Sequence, residues 1–340
     1  MGSSSYNKGN YTKAISICEA QAKLFSNDPY PHTLAACAYT QLKQHEKTIE
    51  SATQGIARCG EFKLLFHLRG EAYLHLWNAE KALDDATTAI RQGQVNNGIY
   101  MLKALALAHL NRHREAMEVL ENVEIQKEQL IISTLLRARI LDNMNQHEEA
   151  LRECSKVFEQ VEPYNMDYAL TIRCFIHANL EHWDQAVADI NAAVELAANS
   201  KLAFINRAYL FGRLKRLEDA HADLDQALTI QAIQGTGYIE SNRARLLIME
   251  GKVEEALKFS THAADKAPNM ANILATHGLV LLRNGKTEEA KVLLDRAIQL
   301  DPYEKEAFWF RSEYYEKVGD ARNTQRDKAI ARGFKYIPYL

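Results

Sequence analysis

Small residues return along the chain at steps of 34, with two steps of 36, at Ala14, Thr48, Ala82, Ala116, Ala150, Ala186, Ala220, Ala256, Ala290 and Thr324. Twelve residues earlier stands a second small residue, as at Ala36, Gly70, Ala104, Ala138, Cys174, Ala208, Ala244, Gly278 and Ser312. Nine residues earlier the position is mostly a large filler such as Tyr39, Leu107 or Phe211, and seven residues later it is small again, as at Ala193, Ala227 and Ala263. Small side chains at such helical spacing let two backbones approach closely and receive the next pair. Each step therefore predicts two helices, A and B, around a short polar turn. One unit runs A from about Ser200 to Leu214 and B from about Leu217 to Ile230. Gly251 and Gly285 supply left-handed turn residues, and Pro268 and Pro302 close the B helices of their units.

The runs LLRNGKTEEAKVLLDRAIQLDP at 281–302 and LEDAHADLDQALTI at 217–230 resemble the tetratricopeptide repeat (TPR) family, in a register that covers about residues 6–333. The resemblance implies an all-α fold: a right-handed superhelical solenoid of antiparallel helix hairpins, with about nine units and an N-terminal half unit. Residues 6–333 are expected to form a single array, 1–5 to be a tag remnant or disordered start, and 334–340 to be an aromatic C-terminal tail that caps the last hairpin or docks elsewhere. Residues 6–25 read as a turn and a B helix without a preceding A helix, which suggests truncation of a longer protein or an exposed end that seeks a partner. Self-association through Ile15, Ile17, Leu24 and Phe25 follows as an alternative.

Composition narrows the function classes. Hydrophobic residues at 47% and charged residues at 25% suit a folded chain, while the net charge of -3 provides no basic footprint for nucleic acid. No apolar run approaches the roughly 18 residues that span a bilayer, so no membrane insertion is expected. The five cysteines, Cys18, Cys37, Cys59, Cys154 and Cys174, are odd in number and unpaired in spacing. They read as reduced packing residues and favour a cytoplasmic setting.

A basic column stands thirteen residues before the small-residue repeat: Arg69, Lys103, Arg137, Arg173, Arg207, Arg243, His277 and Arg311. An acid lies sixteen residues beyond five of them, which predicts structural ion pairs Arg69 with Asp85, Arg137 with Glu153, Arg173 with Asp189, Arg207 with Asp223 and Arg311 with Asp327. Lys103, Arg243 and His277 face Val119, Phe259 and Leu293 instead and are unpaired by this rule. His45, His113 and His147 occupy one repeat position beside the turn, so packing explains them better than zinc. Gly285-Lys286-Thr287 lacks the strand and first glycine of a phosphate-binding loop. No metal, cofactor or catalytic residue is assigned.

The resemblance implies that A helices line a concave face. There the first half should present Glu71, His75, His109, Arg139 and Asn143, and the second half the peptide-binding candidates Asn179, Asn206, Tyr209, Arg213, Tyr238, Asn242, Arg245, Arg283 and Trp309. Asn206 and Asn242 resemble the asparagine rows by which some TPR superhelices hold extended peptides. The carboxylate clamp of heat-shock co-chaperones is absent, because Thr171 and Phe175, or Ile205 and Tyr209, stand where its Lys and Asn pair belongs. The expected function is a non-catalytic scaffold for a protein or extended peptide. The alternatives are a substrate-recruiting arm of a larger enzyme or secretion machine and a self-associating assembly module.

Overall fold

The computed structural model describes residues 3–24, 28–59, 63–76, 78–93, 96–110, 112–121, 127–159, 166–230, 237–302 and 304–333, and within them every regular element is a helix. In order these are α1 (Ser3–Leu24), α2 (Pro29–Gln41), α3 (His45–Cys59), α4 (Lys63–His75), α5 (Ala79–Arg91), α6 (Asn97–His109), α7 (His113–Glu121) and α8 (Lys127–Asn143). They continue as α9 (His147–Glu159), α10 (Met166–Asn179), α11 (Trp183–Leu196), α12 (Lys201–Arg213), α13 (Leu217–Thr229), α14 (Tyr238–Met249) and α15 (Val253–Lys266). The last are α16 (Ala271–Arg283), α17 (Thr287–Leu300), α18 (Lys305–Lys317) and α19 (Ala321–Gly333). From α2 onward even-numbered helices are A and odd-numbered are B. Packing groups the chain into two compact units, Met1–Leu136 and Arg137–Leu340, with the division inside α8.

The 34-residue spacing works through close approach. Ala82, Ala116, Ala150, Ala186, Ala220, Ala256 and Ala290 are fully buried, as are Ala36, Ala104, Ala138, Cys174 and Ala244. Gly278 shows how tight the hairpin is: a Cβ there would stand 2.8 Å from Leu294 Cγ. Each pair buries apolar residues against the next, as where Phe204, Ala208 and Phe211 of α12 pack with Leu224 and Ala227 of α13 and with Leu246 of α14. Burial of the phenylalanine and leucine side chains among them stabilises the fold by roughly 1.5–3 kcal/mol each. Helix α12 begins one residue inside the expected span because Ser200 caps its start, its hydroxyl accepting from the Ala203 amide at 3.3 Å.

The A-to-B turn carries a left-handed residue five positions before the buried small one. Glycine fills it at Gly251, Gly285 and Gly319, but Lys43, Asn145, Glu181 and Lys215 hold φ of 56°, 62°, 61° and 57°. Around Lys215 the turn closes by Leu214 N to Leu210 O, Lys215 N to Gly212 O and Arg216 N to Phe211 O, at 3.1, 2.9 and 2.9 Å. At the start of the chain, the turn expected ahead of the first B helix lies within α1, which begins at Ser3. A single helical glycine, here Gly9, costs only about 1 kcal/mol, so composition alone does not force a turn. Ile15, expected at an exposed face, packs instead against Ala35, Ala38 and Tyr39 of α2, while Ile17 and Leu24 are exposed. Phe25, Cys59 and the 334–340 tail lie outside the described side chains.

Candidate functional site

The arginines that stand in register take seats at the seam between A and B helices. Arg69 donates through Nε and Nη2 to Asp85 at 2.9 and 2.7 Å. Arg173 holds Asp189 at 2.7 and 2.6 Å, Arg207 holds Asp223 at 2.8 and 2.7 Å, and Arg311 holds Asp327 at 2.6 and 3.1 Å. Arg137 and Glu153 form an ion pair at 3.3 Å without that bidentate geometry. The four aspartates are buried and Glu153 half-buried, and burial lifts the Asp85 carboxyl above its ordinary value against the pull of Arg69.

Two more walls, which the sixteen-residue rule does not see, complete the seat. The remaining guanidinium nitrogen reaches sixteen residues back: Arg69 Nη1 to Thr53 at 3.1 Å, Arg207 to Asn191 at 3.2 Å and Arg311 to Asp295 at 2.8 Å. Aromatic rings three residues before and four after cover the faces. Arg207 lies 5.7 and 5.6 Å from the Phe204 and Phe211 ring centroids, and Arg311 5.4 and 5.8 Å from Phe308 and Tyr315. Such contacts add about 0.5–1 kcal/mol or more to a partly desolvated cation. Of the three residues expected to lack partners, Arg243 pairs with Asp225 of α13 and lies 5.7 Å from the Phe259 ring. His277 Nδ1 and Ser260 Oγ share a hydrogen bond at 2.9 Å, and burial holds the imidazole below its ordinary pKa. Lys103 adds to the pull of Arg112 on the Glu115 carboxyl.

In the second unit the candidates on the A-helix face fall into two groups. Asn179 of α10 donates to both oxygens of Asp142 at 3.1 and 3.0 Å, and Asp142 also holds His147 Nδ1 at 2.6 Å. Tyr209 packs edge-on to Phe175 at 5.8 Å and lies 5.7 Å under the Arg245 guanidinium, which is itself paired with Glu306. Arg213 covers the Trp183 ring at 5.2 Å. The charges of α18 and its cap reach this group. Burial holds the Lys305 ammonium below its ordinary value against the pull of Asp142 and Glu304, with Arg213 adding to the effect. Burial, then the charges of Glu306 and Asp301, push Glu304 up to about 8, and burial with Glu304 pushes Tyr238 up to about 12. The second group is Arg283 and Trp309, which share Glu313: Arg283 Nη1 donates at 2.6 Å and Trp309 Nε1 at 3.1 Å. Asn206 and Asn242 stand half-buried at equivalent places on α12 and α14.

The tetratricopeptide repeat family model matches residues 271–304, which are α16, α17 and the turn that follows. The repeated A-to-B hairpin carries the same architecture along the other described helices. The chain carries a tetratricopeptide repeat at residues 271–304. Among solved structures it is similar to the APC/C hetero-tetramer Cut9-Hcn1, with a TM-score of 0.60 at 12% identity over 89% of this chain and 60% of the matched one. An IFIT1 monomeric mutant with Gppp-AAAA gives a TM-score of 0.60 at 14% identity, over 95% and 75%. Yeast Tom70 gives 0.47 at 16% identity, over 97% and 93%. For the two structures at 0.60, the likeness is one of fold, an all-α helical repeat solenoid. No match was found among curated protein sequences.

In the first unit, A helices bring His67, Glu71, His75 and His109 to the wall of a cavity of about 580 Å³ that Met101, Leu102 and Ile132 also line. His67 Nε2 lies 3.1 Å from Glu71, and His75 stacks on His45 with centroids 4.3 Å apart. In the second unit Arg139 donates to the Tyr168 hydroxyl at 3.1 Å, and Asn143 is exposed. Among the described residues no group of three or more His, Cys, Asp or Glu side chains could hold a metal ion. Cys18, Cys37, Cys154 and Cys174 are free thiols, and burial pushes Cys154 and Cys174 up to about 12, which removes their thiolates. Sequence reasoning missed Asp142, Glu304, Lys305 and Glu306, because they meet the candidates across several repeats rather than at a fixed spacing.

Proposed function

We propose that the A-helix face of the second unit binds an extended segment of a partner protein and that the protein acts there as a non-catalytic scaffold. The fold itself is that of a TPR protein-interaction scaffold, and no described helix is long and apolar enough to cross a membrane. The observation that carries the proposal is the pair of half-buried amides Asn206 and Asn242, equivalently placed on neighbouring A helices, with Tyr209 and Tyr238 on the same helices. An amide offers two donors and an acceptor, the groups that pair with an extended backbone, and the tyrosines supply apolar surface with a polar tip. Arg245 and Arg283 are engaged by Glu306 and Glu313, so they offer little to a phosphate-rich ligand of the sort present in the IFIT1 structure. Recognition therefore rests on amides and rings more than on cations, and a cytoplasmic partner fits the free thiols.

The test is a selection of random extended peptides against the wild type and an Asn206→Ala/Asn242→Ala variant. Peptides that bind the wild type and lose at least about tenfold in affinity, some 1.4 kcal/mol, with the variant at unchanged thermal stability support the site. Equal affinity for both proteins refutes it.

A further inference from the structure

Two positions in the arginine column of the first unit hold no arginine: Lys103 keeps a cation, and Ala35 has none. Ala35 of α2 stands 34 residues before Arg69, yet the walls of an arginine seat surround it. Glu19 lies sixteen residues back, where Thr53, Asn191 and Asp295 serve other seats, and Ser51 lies sixteen residues on, where the aspartates stand. His32 and Tyr39 occupy the places of the two covering rings. All four, with Ala35, line a cavity of about 310 Å³. A complete seat in this unit is filled by Arg69, which closes on Asp85 and Thr53.

We infer that this cavity is a receptor for an arginine side chain presented by a partner protein, whose guanidinium would take the seat that Ala35 leaves empty. Four features support a guanidinium. Glu19 supplies the carboxylate, and it already accepts the Tyr39 hydroxyl at 2.6 Å, which fixes its orientation. Tyr39 supplies a ring face, and burial followed by the Glu19 hydrogen bond pushes its own pKa up to about 12, so it remains a neutral donor. His32 is 3% exposed, and its Nε2 finds no hydrogen-bond partner among the described residues, an uncompensated polar atom at the cavity wall. Burial, with help from Arg58, holds that imidazole below its ordinary pKa and therefore neutral, suited to stack on a cation.

The charges at the wall balance only with Glu19 counted, Glu19 and Glu50 against Lys47 and Arg58. Lys47 lies 5.5 Å over the Tyr39 ring and Arg58 donates to the Ala22 carbonyl at 3.3 Å, while Glu50 adds a second carboxylate. An incoming planar cation would thus find a carboxylate, a hydroxyl and two rings, the set that distinguishes arginine from the point charge of lysine. This inference concerns the first unit and stands apart from the peptide face proposed for the second.

The experiment titrates an end-capped Gly-Gly-Arg-Gly-Gly peptide into the full chain and follows backbone amides by NMR, with the citrulline and lysine peptides beside it. The expected result is a saturable shift at Glu19, Tyr39 and Ser51 with the arginine peptide, weakened at least about tenfold by citrulline and also by Glu19→Gln. Ala35→Arg should fill the seat from within: it should abolish peptide binding and raise the melting temperature by about 2 °C or more. Should that variant not fold, Glu19→Gln decides alone. Equal shifts with the citrulline peptide, no saturable shift at all, or unchanged binding by Glu19→Gln would overturn the inference.

Discussion

Both the hairpin seams and the A-helix face of the second unit are lined with arginines, and the two sets are held differently. At the seam Arg207 meets Asp223 and Asn191, each sixteen residues away, between two phenylalanine rings. On the face Arg283 reaches Glu313 at a separation of 30 residues, and Arg245 reaches Glu306 at 61. The difference teaches what a repeat can encode. Between helices adjacent in the chain the spacing fixes which residues meet, so pairing becomes periodic; between helices farther apart, as for Arg283 with Glu313 and Arg245 with Glu306, the two separations differ.

Breaking a seam should cost the most. Asp223 is 5% exposed, and Asp223→Asn leaves the Arg207 guanidinium without its counter-charge; removal of one partner from a buried pair costs about 3–5 kcal/mol, here checked by urea unfolding. The same variant should bind a selected peptide as the wild type does while folded, whereas the Asn206→Ala/Asn242→Ala variant should show the reverse.

The charges of α18 and its cap sharpen the comparison through pH. Glu304 is raised from 4.5 to about 8 in the folded chain, so the folded state holds a proton that the unfolded state releases. Stability should then be full below about pH 4.5 with respect to this group and fall as pH rises toward about 8. Glu304→Gln, read by thermal unfolding across that window, should flatten the fall. A steeper fall in the variant would contradict the assignment.

Smaller effects separate strain and surface from the seam. Lys215 holds a left-handed conformation that costs an ordinary residue about 1–2 kcal/mol, offset in glycine by the entropy it loses on folding. Lys215→Gly should therefore stabilise the α12 and α13 hairpin by about 0.5–1 kcal/mol in urea unfolding. Asp225 is an exposed partner of Arg243, at 65% side-chain exposure. Its replacement by alanine should cost less than about 1 kcal/mol, well below the loss at Asp223.

Most of the fold was legible because hairpin geometry is local. The small residues around Ala208 and Ala220 located α12 and α13 to within a residue, and the spacing from Arg207 to Asp223 named the pair that closes them. The rings four residues after each arginine, such as Phe211, read as fillers from spacing, while the rings three before and the partners sixteen back carry no signal, since spacing alone does not show that they surround one guanidinium. The expected turn before the first B helix is helix instead, because Gly9 and Asn10 weaken a helix without ending it. Glu304, Lys305 and Glu306 carried no periodic signal, as their role depends on where α18 falls relative to α12 and α14.

The central claim is that the seam arginines hold hairpins together rather than wait for a ligand. A double-mutant cycle on Arg207→Leu and Asp223→Leu, with stability read from hydrogen exchange in α12 and α13, tests it directly. A coupling of about 2 kcal/mol or more between the two positions is the predicted result, in the range measured for residues within one ion-pair network. A coupling near zero, with each single variant as stable as the wild type, would contradict it.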